Sequence, residues 1–183
     1  TWSWVDEMYA ERGAMTKVAE EITRDLNEID AAIEDAFYRS LEFGTAGLRG
    51  ALGAGTNRMN IYTVRKTVKA VAEYVIEHTV NHHDRGVVVA YDSRHMSQEF
   101  ALEVAKVLGV YQIRTYIFDT IQPTPLLSFA VRHLGCVAGV MITASHNPPE
   151  YNGLKVYNEE GAQITSLAAQ QITENMLSIE DEL

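Results

Sequence analysis

Val87-Val88-Val89-Ala90-Tyr91-Asp92-Ser93-Arg94-His95-Met96-Ser97 joins an apolar run to a polar loop near the middle of the chain. Its first five residues are apolar and mostly β-branched, with no polar face, so they predict a strand covered on both sides. The polar loop that follows opens a helix capped by Ser97, with Phe100/Ala101, Val104/Ala105 and Leu108 on one face. The same order recurs downstream. A strand over Ile113 to Phe118 leads through Asp119-Thr120-Ile121-Gln122-Pro123-Thr124 into a helix with Thr124 as N-cap, Pro125 at its first position and Gly135 at its end. Val137 to Ile142 predicts a third strand. After it come the polar loop Thr143 to Asn152, a turn at Asn152-Gly153 and a fourth, edge strand, Leu154-Lys155-Val156-Tyr157. Strands too apolar to face water, alternating with helices, predict an α/β fold: three layers, α/β/α, around a mixed, mostly parallel four-stranded sheet.

Working outward from there, Asn60 caps a long helix with Ile61, Val64, Val68, Val71/Ala72 and Val75/Ile76 on its apolar face. Just upstream, five of the twelve glycines fall at 44, 47, 50, 53 and 55, which predicts a loop or tight hairpin. Residues 1–42 contain one glycine, Gly13, and no proline. Val18, Ile22, Leu26, Ile29, Ile33 and Phe37 recur at helical spacing, so this extension reads as one or two amphipathic helices ending near Phe43-Gly44. At the other end, Ser166 to Glu182 reads as a helix, and 164–183 as a helix or linker toward a further domain; 43–163 is the central domain.

Composition narrows the class. The 183 residues are 46% hydrophobic and 22% charged, a balance that supports one sizeable core. Charge-free stretches run to about a dozen residues, short of the ~20 a membrane span needs. The single cysteine, Cys136, excludes an internal disulfide and a multi-cysteine metal site. Thr1 to Gly13 lacks the basic-then-apolar order of a signal peptide, which makes the cytoplasm the default location. His78, His82 and His83, at a helix end and its loop, read as solvated residues. A net charge of −10 argues against anionic partners until the chain is divided. Residues 1–42 carry a net −7 and 164–183 a net −4, whereas 43–163 carries +1. The centre is open to anions.

In an open α/β sheet, ligands bind outside the carboxyl ends of the strands. Among the three polar loops placed there, Thr143-Ala144-Ser145-His146-Asn147-Pro148-Pro149 is the most loaded, and Lys155 follows ten residues after Ser145. Three readings of Ser145 compete. The first is a polar turn whose hydroxyl bonds its own backbone. The second is a hydrolase nucleophile, but the G-x-S-x-G elbow is absent and His146 is expected to diverge from its direct neighbour. The third is a phosphoryl carrier, whose dianion needs the imidazole, amide, ammonium and backbone donors this region offers.

Here the residues resemble a known family. Thr143-Ala144-Ser145-His146-Asn147-Pro148, continuing through Asn152-Gly153-Leu154-Lys155, is similar to the phosphoserine signature of the α-D-phosphohexomutases, the phosphoglucomutase/phosphomannomutase superfamily. Phe43-Gly44-Thr45-Ala46-Gly47-Leu48-Arg49-Gly50 is similar to that family's N-terminal active-site loop, Tyr91-Asp92-Ser93-Arg94 to its Asp-x-Arg loop, and Pro123-Thr124-Pro125 matches in place. Phe43-Gly44-Thr45-Ala46-Gly47-Leu48-Arg49 and Glu150-Tyr151-Asn152-Gly153-Leu154-Lys155 look closer to the phosphoglucomutase-type branch than to phosphomannomutases.

The resemblance implies an enzyme that interconverts sugar 1- and 6-phosphates through a bisphosphorylated sugar, with Mg²⁺ as cofactor and glucose 1,6-bisphosphate as activator and intermediate. It implies Ser145 as the phosphoryl-carrying residue, its phosphate also a metal ligand. Arg49 and Lys155 become phosphate-binding and catalytic residues, joined by Thr45 and Asn147 for phosphate. Lys155 and His146 are both candidates to move the sugar proton, and Asp92 and Arg94 brace the serine loop. The pattern also departs from the family: no clustered-aspartate metal loop, sugar loop or further phosphate loop occurs in 183 residues. The expectation is a first-domain fragment, inactive alone, that binds sugar phosphates but neither nucleic acid nor membrane, and self-associates through the 166–183 helix or its open cleft. Phosphomannomutase or phosphopentomutase activity, or a non-catalytic sugar-phosphate-binding or interaction module, stand as alternatives. A dinucleotide site at Gly53-Ala54-Gly55 fails, because Arg58 replaces the third glycine and the segment precedes the first central strand.

Overall fold

A computed structural model describes residues 3–45 and 47–180. Thr1, Ala46 of the glycine-rich motif, and Asp181 and Glu182 at the end of the expected last helix lie outside the described residues. The elements in chain order are α1 (Ser3–Phe37), β1 (Leu48–Ala51), α2 (Ile61–His78), α3 (His82–Arg85), β2 (Val87–Tyr91), α4 (Ser97–Val110), β3 (Thr115–Ile117), α5 (Thr124–Leu134), β4 (Ala138–Ile142), β5 (Tyr151–Asn158) and α6 (Ser166–Ser178).

The α/β class is as expected, but the sheet has five strands where four were anticipated, in the order β1-β5-β4-β2-β3. β2 pairs in parallel with β3 and β4, while β5 runs antiparallel to both β4 and β1. The extra strand is β1, inside the glycine-rich segment. Its pairing makes β5 an interior strand, not the edge. Asn152-Gly153, a turn dipeptide by local chemistry, lies inside β5, and both residues are buried. Gly153 is required there: a Cβ would stand 2.7 Å from the carbonyl oxygens of both Leu48 and Thr143. Long-range pairing overrides local turn preference.

The apolar alternation of the strands feeds two cores. Val87, Val89, Val140, Ile142, Leu154 and Val156 face α2, α4 and α6, where Val64, Val68, Phe100, Leu108 and Ile172 are buried. Val88, Ala90, Met141 and Tyr157 face Leu127 and Val131 of α5. Each such side chain contributes about 1.5–3 kcal/mol by burial. A partly buried ion pair joins α2 to α4: Arg65 Nε reaches Glu103 Oε2 at 2.6 Å, and Lys106 Nζ reaches the other carboxylate oxygen at 2.6 Å.

Helix ends follow local chemistry, with small corrections. Asn60 caps α2 in a capping box with Thr63, and Gly135 ends α5 with φ +66°. Met96, not Ser97, stands before α4, and Pro123 before α5, which moves Thr124 and Pro125 one position inward. His82 and His83 form the start of the short α3. α6 ends at Ser178 and packs on the body: Thr173 Oγ1 donates to Phe43 O at 3.0 Å.

The largest departure is α1, one continuous helix whose apolar stripe faces solvent. Among the described residues from Glu11 to Phe37 only Ala36 is buried. Val18, Ile22, Leu26, Ile29 and Ile33 are each 53–55% exposed. α1 meets the body through its last turn, where Asn57 Nδ2 donates to Asp35 O at 2.9 Å and Arg58 pairs with the Asp35 carboxylate.

Candidate active site

The sheet register brings three separated segments to one edge. Arg49 of β1 lies opposite Gly153 of β5, and Thr143, just past β4, donates its N–H to Gly153 O at 2.9 Å. Arg49 therefore stands level with the start of the serine loop. Gly47, immediately before β1, has φ +82°, and a Cβ there would overlap the Leu154 carbonyl, so only glycine lets this segment press so close to β5.

Within the serine loop, Ser145 adopts φ +57°, a conformation disfavoured for non-glycine residues. Thr143 Oγ1 accepts from Ser145 N at 2.9 Å, and Asn147 N donates to Ala144 O at 3.1 Å. The reversed backbone swings consecutive side chains together. Ser145 Oγ lies 3.2 Å from His146 Nδ1. This corrects the expectation that the two neighbours diverge, which holds for extended or helical backbone but not for a left-handed residue. Both side chains are exposed.

Arg49 Nη1 donates to Asn147 Oδ1 at 2.9 Å, so the two expected phosphate ligands meet directly. Lys155 is half-buried on β5, opposite Met141. As the second residue beyond Gly153, it shares Arg49's face of the sheet. Among the described residues it makes no hydrogen bond to Ser145. Thr45 is exposed at the tip of a turn closed by reciprocal Gly44–Gly47 backbone bonds of 3.1 and 2.7 Å, and it likewise makes no side-chain bond to the serine loop among the described residues. The structure therefore gathers Ser145, His146, Asn147 and Arg49, with Lys155 on the same face and Thr45 apart.

Behind the loop lies Arg94, its guanidinium turned onto the loop's carbonyls. Nη1 donates to Pro148 O at 2.8 Å and Tyr151 O at 3.0 Å, and Nη2 to Ser145 O at 2.8 Å and Asn147 O at 2.6 Å. Asp92 Oδ2 is 3.6 Å from Arg94 Nε. Two further residues, Ser97 and Asn152, extend this anchorage and were not marked as site residues in the sequence: Ser97 Oγ donates to Asp92 Oδ1 at 2.9 Å, and Asn152 Nδ2 to Ser97 Oγ at 3.0 Å. The signal for Asn152 was its polar side chain next to an apolar strand, read there as a turn.

The donor set fits an anion better than a metal. Among the described residues no group of three His, Cys, Asp or Glu side chains is placed to hold a metal ion, and the carboxylate behind the loop, Asp92, is engaged by Arg94 and Ser97.

Known proteins match most of this chain. Residues 40–183 match the family model for phosphoglucomutase/phosphomannomutase, alpha/beta/alpha domain I. A phosphoglucomutase of Staphylococcus epidermidis is 46% identical over 150 residues, 80% of this chain and 26% of that protein. One from Staphylococcus saprophyticus is 43% identical over 171 residues, 92% of this chain and 30% of the relative. A crystal structure of a protein assigned as a phosphomannomutase from Thermus thermophilus superposes with TM-score 0.70 at 32% identity, covering 79% of this chain and 32% of that one. The chain thus spans between a quarter and a third of the length of these relatives.

Proposed function

Because the chain belongs to the phosphoglucomutase/phosphomannomutase family through its first α/β/α domain, we propose that it is the phosphoserine-bearing domain of a phosphoglucomutase-type enzyme that interconverts sugar 1- and 6-phosphates. The observation that carries this reading is Ser145 Oγ, exposed beyond the carboxyl end of β4, beside an imidazole and within a loop joined to Arg49. Phosphoryl transfer is largely positioning and charge stabilisation, and these residues are suited to both.

In the forward half-reaction the bond from phosphorus to Ser145 Oγ breaks as a bond to a sugar hydroxyl oxygen forms. The sugar oxygen loses its proton and the serine oxygen gains one. His146, within hydrogen-bond reach of Oγ, returns the proton to the serine. Lys155, on the shared face with Arg49, serves the sugar hydroxyl. Arg49 and Asn147 hold the travelling phosphoryl oxygens, Arg49 as a bidentate cation; Thr45, which stands apart from them, would join only if the turn before β1 moved toward the phosphate. Asp92 and Arg94 hold the loop. The family's Mg²⁺ would add charge neutralisation at the phosphate, but the described residues supply too few ligands for it. The isolated chain is accordingly proposed to be inactive as a mutase, with glucose 1,6-bisphosphate as activator and intermediate of the complete reaction. Among the described residues no helix is long and apolar enough to cross a membrane, and Cys136 is a buried free thiol; we place the protein in the cytoplasm.

The test is on Ser145. The complete enzyme, isolated from its own cells or incubated with glucose 1,6-bisphosphate and Mg²⁺, should carry one phosphoryl group on the peptide containing Ser145 by mass spectrometry, and none in Ser145→Ala. An unmodified Ser145, with mutase activity surviving in the Ser145→Ala form of the complete enzyme, overturns the assignment. Glucose 6-phosphate produced by this chain alone at an enzyme-like rate would overturn the proposed inactivity.

A further inference from the structure

The hydrogen bonds behind the serine loop run in one direction only, and chemistry fixes that direction atom by atom. A guanidinium has donors and no acceptor, and an ionised carboxylate only acceptors. Arg94 therefore donates to the four loop carbonyls, and Asp92 Oδ1 accepts from both Arg94 N at 3.1 Å and Ser97 Oγ at 2.9 Å. The Ser97 hydroxyl has one proton and gives it to Asp92, so toward Asn152 it can only accept. Asn152 Nδ2 supplies that bond at 3.0 Å and donates its second proton to His95 O at 2.9 Å. The amide cannot be flipped, since Oδ1 would then face the His95 carbonyl; Oδ1 instead accepts from Gly153 N at 2.8 Å. The order is Asn152 to Ser97 to Asp92, with Arg94 joining Asp92 to the Ser145 carbonyl.

Asn152 and Ser97 are both buried, at 0% and 1% exposure, and among the described residues no buried side-chain N or O atom lacks a partner. A fully satisfied polar network of this kind has one low-energy arrangement. Its members come from the strand that bears Lys155 and pairs with Arg49's strand, from the start of α4, and from the loop after β2. We infer that Asn152 and Ser97 are positioning residues for Ser145: they fix Asp92, hence the Arg94 fork, hence the left-handed loop that presents the serine hydroxyl. The inference rests on the reading of Ser145 as the phosphoryl carrier for its function, but not for its physical test.

That test is hydrogen exchange followed by mass spectrometry on the full chain, comparing Ser97→Ala, Ser97→Thr and Asn152→Asp with the parent. Losing one bond of this anchorage is expected to raise exchange in the 143–151 peptide about two- to tenfold, while the peptides of β2 and β4 keep their protection. Ser97→Thr, which retains the hydroxyl, restores the parent rate. Asn152→Asp, which puts an acceptor where two donors are needed, behaves like Ser97→Ala; should it fail to fold, the Ser97 pair decides alone. Unchanged exchange in 143–151 for Ser97→Ala, or a rise shared equally by the core strands, overturns the inference. If Ser145 carries no phosphate yet the loop responds as expected, the functional reading fails and the positioning network stands.

Discussion

Arg49 Nη1 and Asn147 Oδ1 are 2.9 Å apart although 98 residues separate them in sequence, and this bond ties β1 to the serine loop. An exposed arginine held by a neutral amide loses little when it turns to an arriving phosphate, because a charge-assisted bond replaces a weaker one. Arg49→Ala should weaken binding of glucose 1-phosphate roughly ten- to a hundredfold, read by calorimetry or by NMR titration of this chain. Asn147→Ala should cost less, since Arg49 keeps its charge. Equal affinity in Arg49→Ala would remove Arg49 from the phosphate site.

His146 makes a separate prediction. Positioned acid–base groups contribute about 10²–10⁴-fold to rate, so His146→Ala in the complete enzyme should slow phosphoryl transfer from Ser145 by that order and leave KM for the sugar phosphate nearly unchanged. Single-turnover dephosphorylation of the phosphoserine form measures it. A loss confined to KM would make His146 a binding residue instead.

Gly47→Ala tests the packing of the glycine-rich segment on β5. The residue has φ +82° and no room for a Cβ beside Leu154, so the substitution should cost at least about 1–3 kcal/mol, seen as a lower urea midpoint. Gly44→Ala, where a Cβ would meet nothing within 4 Å, should be far milder. Equal midpoints for the two variants would contradict the close approach.

Stability should depend on acid through Glu103. Its carboxyl is held below the usual carboxylate range, chiefly by the hydrogen bond from Arg65 and further by Lys106, against the opposing effect of burial. A carboxylate whose folded-state value is lowered stabilises the protein above its unfolded value, and that contribution is lost as pH falls through the folded one. Urea midpoints should therefore decline below about pH 4.5, and Glu103→Gln should be less stable at neutral pH with a flatter acid limb. Parallel pH curves for the two proteins would refute the linkage.

The sequence places self-association at the 166–183 helix or the open cleft; we propose α1 as a further surface for it. The exposed stripe Met15, Val18, Ile22, Leu26, Ile29, Ile33, Phe37 repeats at spacings of three, four and four, an 11-residue period that keeps a seam nearly straight. Two antiparallel copies centred near Leu26 set Val18 against Ile33 and Ile22 against Ile29. They also place the bases Lys17 and Arg24 of one copy along the base-free 25–37 segment of the other. Sedimentation should show a concentration-dependent dimer that Ile22→Asp abolishes, and Leu26→Cys should cross-link to itself. A monomer at high concentration, or an unaffected dimer in Ile22→Asp, excludes this pairing.

The loops that carry chemistry were legible because their signals are local. A β-branched run at 87–91, a capping asparagine at 60 and a left-handed glycine at 135 each follow from the conformational preferences of a few neighbouring residues. What escaped was non-local. β1 is four residues long and contains a glycine, and it becomes a strand only because β5 lies beside it. Asn152-Gly153 has turn chemistry, yet burial between β1 and β4 makes it strand. His146 turned toward Ser145 because φ at Ser145 is positive, which no residue type at that position announced.

The layered α/β class, the family-like motifs and the polar residues at the carboxyl edge of the sheet are all written in local sequence. These follow from hydrophobic periodicity and from side-chain chemistry that does not depend on distant partners. Which of those residues meet depends on the packing of distant segments. That packing set Arg49 against Asn147, left Thr45 apart, and aligned Asn152, Ser97, Asp92 and Arg94 into one directed chain behind Ser145. Hydrogen bonds are sensitive to tenths of an ångström and to direction, and both are fixed by strand register and packing between segments far apart in the chain.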